Sequence, residues 1–171
     1  PQTSARSALT EVLLSFSQPE EWIQPRVHEI QQNLLVHSHY IRASDFTRIH
    51  TQDLQFLFRT YDEQFCGGLV QQALEGRHLT FRLSQRMTRT GGTTTRSLNA
   101  KTGEVNYQIA IAVGLLFDGF RETDRRITVS GLECGNRLEA LQRIFEHEIV
   151  HLMEFLCWES SNCAAGRFQN I

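Results

Sequence analysis

The chain is 171 residues long, with 40% hydrophobic and 21% charged residues and a net charge of −2. That is the makeup of one globular domain with a core of its own, which excludes wholesale disorder, collagen and a coiled coil. No apolar run reaches the ~18 residues of a membrane span, and no basic-then-apolar leader opens the chain. An intracellular, cytoplasmic protein follows as the expectation, and Pro1 in place of Met points to a piece of a longer chain. Of the basic residues, 16 are Arg and only Lys101 is Lys. The four cysteines, Cys66, Cys134, Cys157 and Cys163, form no CxxC pair, so a zinc ribbon and a thioredoxin-type motif are absent.

In chain order, residues 6–40 read as one or two amphipathic helices interrupted by Pro19 and Pro25, with Leu13, Leu14, Trp22, Ile23, Val27, Ile30, Leu34 and Leu35 as apolar positions. Residues 36–50, rich in His, Ser, Thr and Arg, read as a linker. The spacing of Leu54, Leu57, Phe58, Tyr61 and Phe65 predicts a helix over 51–65. Thr51 is its candidate cap and Cys66-Gly67-Gly68 its stop. Organisation into an N-terminal helical extension, 1–45, and a main domain, 46–171, is expected.

The period then changes to two. Leu79, Phe81, Leu83 and Met87 alternate with Thr80, Arg82, Ser84 and Arg86, which predicts a half-buried strand. Gly91-Gly92 signals a turn, 93–98 a partner strand, and Lys101-Thr102-Gly103 another turn. Val105, Tyr107, Ile109, Ile111 and Val113 mark the clearest strand. An antiparallel three-stranded meander is the expected sheet. A short helix near 113–120 and an extended piece at 127–130 follow. The closing helix, 137–159, has no Gly or Pro and starts with Asn136 and Glu139 in a capping-box-like pattern. The fold class is α+β.

That last helix contains His147-Glu148-Ile149-Val150-His151, an HExxH motif. Residues four apart share a helix face, so His147 and His151 can grip one zinc ion. Bound zinc brings the pKa of water to ~7, and Glu148 stands beside it as general base. With 7 His and 14 Glu in the chain, chance supplies only about 0.02 such motifs. A third ligand is required for a catalytic site. Candidates are Cys163, Glu154, Glu159 or a residue beyond Ile171. Glu154 suits a role behind His151, holding its other ring nitrogen, better than ligation from the same helix.

The sequence here resembles the SprT-like domain, the protease fold of bacterial SprT proteins and of Spartan, the eukaryotic DNA–protein crosslink protease. The markers are Leu57-Phe58-Arg59-Thr60-Tyr61-Asp62-Glu63-Gln64-Phe65 leading to Gly67-Gly68, then Phe81 and Arg86-Met87-Thr88, then Gly91-Gly92. Tyr107-Gln108-Ile109-Ala110-Ile111 before Leu115-Leu116, and Leu138-Glu139-Ala140-Leu141 running into HExxH, complete the set. It covers roughly residue 51 to the C-terminus; residues 1–45 carry no such likeness.

The resemblance implies a zincin-like fold and a Zn2+-dependent endopeptidase, with His147 and His151 as metal ligands and Glu148 as catalytic base. Protein or peptide would be the substrate, including DNA-associated proteins. The family's third ligand is a His in a His-Gly pair. No His follows His151 here, and Cys163 lies nearest the expected place. The alternative function is a non-catalytic, zinc-stabilised module that binds peptide or nucleic acid.

Between Glu75 and Glu104 there is no acidic residue. Arg82, Arg86 and Arg89 in that stretch are candidates for DNA contacts; the competing reading is a solvated surface.

Overall fold

A computed structural model of the chain describes residues 2–120, 127–129 and 131–161. Among them the fold is α+β, with six α-helices, a three-stranded mixed sheet and a two-stranded hairpin. The helices are α1 (Gln2–Ser15), α2 (Glu20–His37), α3 (Thr51–Tyr61), α4 (Leu69–Ala73), α5 (Val113–Gly119) and α6 (Arg137–Trp158). The strands are β1 (His78–Ser84), β2 (Gly92–Leu98), β3 (Val105–Ala112), β4 (Ile127–Val129) and β5 (Leu132–Cys134). No helix among the described residues is long and apolar enough to cross a membrane.

The N-terminal helices form as their apolar spacing predicts, separated at Pro19, while α2 continues through Pro25. The expected linker is tied down. Ser38 Oγ donates to Asp53 Oδ1 at 2.5 Å and accepts the N–H groups of Tyr40 and Ile41. Asp53 also accepts the His50 N–H at 2.8 Å. His50, not Thr51, caps α3, its Nδ1 accepting from the Gln52 N–H. The helix ends in a π-helical turn, Asp62–Cys66, stopped by Gly67 at φ 60. Asp62 there accepts the N–H groups of Val70 and Gln71 at the start of α4.

The sheet corrects the antiparallel meander. Its order is β1-β3-β2, with β1 parallel and β2 antiparallel to β3. Two features of the sequence decide this. Residues 99–104 make a tight turn, Asn99 N–H to Glu104 carbonyl and Gly103 N–H to Asn99 carbonyl, with Gly103 at φ 74. Residues 85–91 are instead a longer passage that crosses the end of β3, where the Gly91 carbonyl accepts the Ala112 N–H at 2.8 Å. β3 takes the centre because it alone is apolar on both faces: Ile109, Ala110, Ile111 and Ala112 are all buried. β1 stops at Ser84, so Arg86 and Met87 lie in the crossing passage rather than on the strand. Of the expected extended piece, Ile127–Val129 is one strand of an unanticipated hairpin, Ile127 pairing with Cys134.

α6 packs at the centre of one hydrophobic cluster that includes Leu9 and Leu13 of α1, Ile30 and Leu34 of α2, Leu54 and Leu57 of α3, and Ile109 and Ile111 of β3. Gln142, 2% exposed, bridges α6 to α2 and α3 through the Val27 carbonyl and the Tyr61 hydroxyl. Asn136 caps α6 by accepting the Glu139 N–H; the Glu139 carboxylate reaches back to the Gly135 N–H, one residue earlier than in a standard capping box.

Asp53 is 3% exposed and holds the 38–50 segment by two donors. Asp53→Ala leaves those donors unpaired and should cost about 2–3 kcal/mol, a loss measurable by urea denaturation. A loss under about 0.5 kcal/mol would show that the segment is held by its apolar anchors Ile41 and Phe46 instead.

Candidate functional site

α6 places His147 and His151 one turn apart on the floor of an open cleft of about 960 Å³. Residues 89–94 form one wall, and α5 with β4 the other. The two Nε2 atoms stand 3.1 Å apart, with the rings at 84°. Behind His151, its Nδ1 lies 3.3 Å from Glu154 Oε2 and is hydrogen-bonded to Ser161 Oγ, which itself donates to Glu154 Oε2 at 2.8 Å. A carboxylate only accepts, so these partners favour, for a neutral His151 ring, the tautomer with the proton on Nδ1 and the lone pair on Nε2. Glu154 thus lies against the His151 ring, where its spacing on the helix predicts it. Ser161 adds a partner that spacing did not reveal, because it lies ten residues on, past the helix stop.

Glu148 is 4% exposed. Its Oε2 accepts from Thr94 Oγ1 at 2.7 Å, and the same hydroxyl lies 2.9 Å from the Glu148 carbonyl. Burial pushes the Glu148 carboxyl up to about 7, against a smaller lowering by Thr94. The His147 imidazole is pushed down, first by burial and then by His151. That shift favours the neutral, metal-binding form.

Glycine makes the approach of β2 possible. A Cβ on Gly92 would stand 2.7 Å from Glu148 Cγ, and one on Gly91 would stand 2.8 Å from Ile144 Cδ1. The Gly91-Gly92 pair, read as a turn, is therefore a packing requirement. Thr94 and Gly92 were invisible as site residues, since only the fold brings them to α6.

The end of α6 is fixed from both sides. Arg6 of α1 donates to the Cys157 carbonyl from Nε at 3.1 Å and from a terminal nitrogen at 2.7 Å. Glu159, at φ 60, lies 3.5 Å from Arg6 and 3.8 Å from Arg96 of β2. The N-terminal helix thereby reaches the helix that carries the histidines.

The other candidates divide. Arg89 lines the cleft; Arg82 and Arg86 do not. All three are exposed. Cys163 lies outside the described residues. Glu159 is engaged by the two arginines, away from the ligand pair. Among the described residues no group of three or more His, Cys, Asp or Glu side chains is placed to hold a metal ion. His147 and His151 are a pair, one side chain short of such a group. Two bonds of ~2.0–2.1 Å to one ion at a near-tetrahedral angle fit the 3.1 Å between their nitrogens. Cys66 and Cys157 are buried small side chains, their thiols pushed up by burial.

No protein family, curated protein or solved structure matches the chain.

The raised Glu148 carboxyl carries a sign for stability. Its folded pKa lies above the ordinary 4.5, so the cost of burying the charge is absent below that pH and complete above about 7. Glu148→Gln keeps an acceptor for Thr94 and removes the charge. The metal-free variant should therefore be more stable than the metal-free parent by about 1–3 kcal/mol at pH 8, with the two converging near pH 4. Denaturant midpoints across that range test this; a constant difference would mean that the carboxyl titrates normally.

Proposed function

We propose that the protein is a zinc-dependent endopeptidase of SprT-like, zincin type. The observation that carries this reading is the pair of imidazole nitrogens 3.1 Å apart in an open cleft, with the buried Glu148 beside them. Two ring nitrogens this close share either a proton, donated by His147 Nε2–H to the His151 lone pair, or a cation bound by both.

His147 and His151 would hold the ion, and Cys163 is the proposed third ligand. Zinc, when bound, supplies Lewis acidity that polarises a carbonyl and acidifies water. Glu148 takes the proton from the attacking water and hands it to the departing amine. Thr94 and the glycine pair hold that carboxylate against the cleft wall. Glu154 and Ser161 keep the His151 ring turned toward the metal position.

The edge of β2 suits a peptide chain. The register and the Ala112–Gly91 bond direct the N–H and C=O groups of Gly92, Thr94 and Arg96 away from β3. Since β2 is an edge strand on the cleft wall, substrate would add as a further strand, read through its backbone more than its side chains.

Metal analysis should find one zinc per chain, falling to background in His147→Ala/His151→Ala; undiminished zinc in that variant would refute the assignment. Glu148→Gln should keep zinc and lose at least ~100-fold in cleavage of an unfolded protein substrate. A zinc-loaded parent that cleaves nothing would instead favour a binding module.

Arg89 at the cleft, with Arg82 and Arg86 on the strand and passage before it, would bring nucleic acid alongside substrate. Gel-shift affinity for DNA should fall steeply with salt and weaken in the triple Arg→Gln variant. Equal affinity in both proteins would return these residues to a solvated surface.

A further inference from the structure

α6 borders a second cavity on its other side, separate from the histidine cleft. It measures about 450 Å³, within the ~300–1,000 Å³ usual for small-molecule sites. Among the described residues its apolar wall includes Leu13, Phe16, Ile23, Phe65, Ile149 and Met153. α1, α2, the π-helical turn and α6 all contribute, so the cavity exists only because the N-terminal helices pack against the rest of the chain.

One end of the cavity is polar. Glu146 Oε1 accepts from the Tyr61 hydroxyl at 2.7 Å, and Oε2 from Arg143 at 3.0 Å. Each carboxylate oxygen has room for a second donor. The Glu146 side chain keeps 24% of its exposure, so a ligand can reach it. The lining carries three carboxylates, Glu20, Asp62 and Glu146, against one cation, Arg143. Asp62 is spent on the N–H groups of α4, and Glu146, although paired with Arg143, is the inner carboxylate that stays accessible to a further donor.

The aromatic wall favours the same sign of charge. Phe65 lies 5.8 Å from Tyr61 and 5.7 Å from Trp22, and Phe16 lies 6.5 Å from Phe65. Ring faces attract cations and repel anions.

We propose that this cavity binds a small amphiphile bearing a protonated amine, its apolar body against Leu13, Phe65 and Met153 and its ammonium on Glu146. The site uses neither the histidines nor Glu148, so it stands independently of the peptidase reading.

n-Octylamine, n-octanol and octanoate share one tail and differ in head group. Calorimetric titration of the full chain at pH 7 should show octylamine binding one site, at least tenfold tighter than octanol, with octanoate weakest. Glu146→Gln should weaken octylamine at least tenfold and leave octanol unchanged. Leu13→Trp, which fills the cavity, should abolish both. Because that variant could fail to fold, the location is also read in the parent: octylamine should shift the Met153 methyl resonance and leave the Thr94 and His151 resonances in place. Absence of octylamine binding, equal affinity for the three head groups, undiminished affinity in Glu146→Gln, or shifts confined to the histidine cleft would each overturn the proposal.

Discussion

The site depends on how closely the start of β2 approaches α6. Glu148 fills the space that a side chain at residue 92 would need, and Ile144 fills the space beside Gly91. With glycine at both positions, the strand lies near enough for Thr94 to reach the Glu148 carboxylate and carbonyl together. Any larger residue there would force strand and helix apart or turn the carboxylate away. The cleft wall and the orientation of Glu148 both follow from this one contact.

A buried carboxylate without a full set of donors is costly. Asp53 and Asp62 lower that cost by accepting backbone N–H groups, and they serve structure: one orders the 38–50 segment, the other starts α4. Glu148 is different. One hydroxyl supports it, and burial pushes its carboxyl up to about 7. The same helix therefore carries a group kept under electrostatic tension, framed by rigid packing on its other faces.

That framing includes residues 1–45. Arg6 caps the last turn of α6 and shares Glu159 with Arg96, while Ser44 and Asp45 accept the N–H groups of Leu138 and Arg137 at the first turn. Both ends of the histidine helix are held by this N-terminal part of the chain. Its helices also complete the second cavity.

Much was legible along the chain. The helices α1, α2, α3 and α6 and the strands β1, β2 and β3 follow from apolar periodicity and turn signals, whereas α4 and β5, each five residues or fewer, are too short to show a period; the α6 cap follows from Asn136, while His50 displaced Thr51 at α3 because its ring reaches the Gln52 N–H. HExxH spacing alone puts two imidazoles on one helix face, since a turn of helix is a local property. Strand order was not legible: alternation marks a strand but does not say which neighbour it takes, and β3 became central only because both its faces find apolar partners in three dimensions. The partners of Glu148 and His151 were likewise decided by the tertiary structure. Thr94 is 54 residues from Glu148, and no periodicity joins them until glycine lets β2 close on α6.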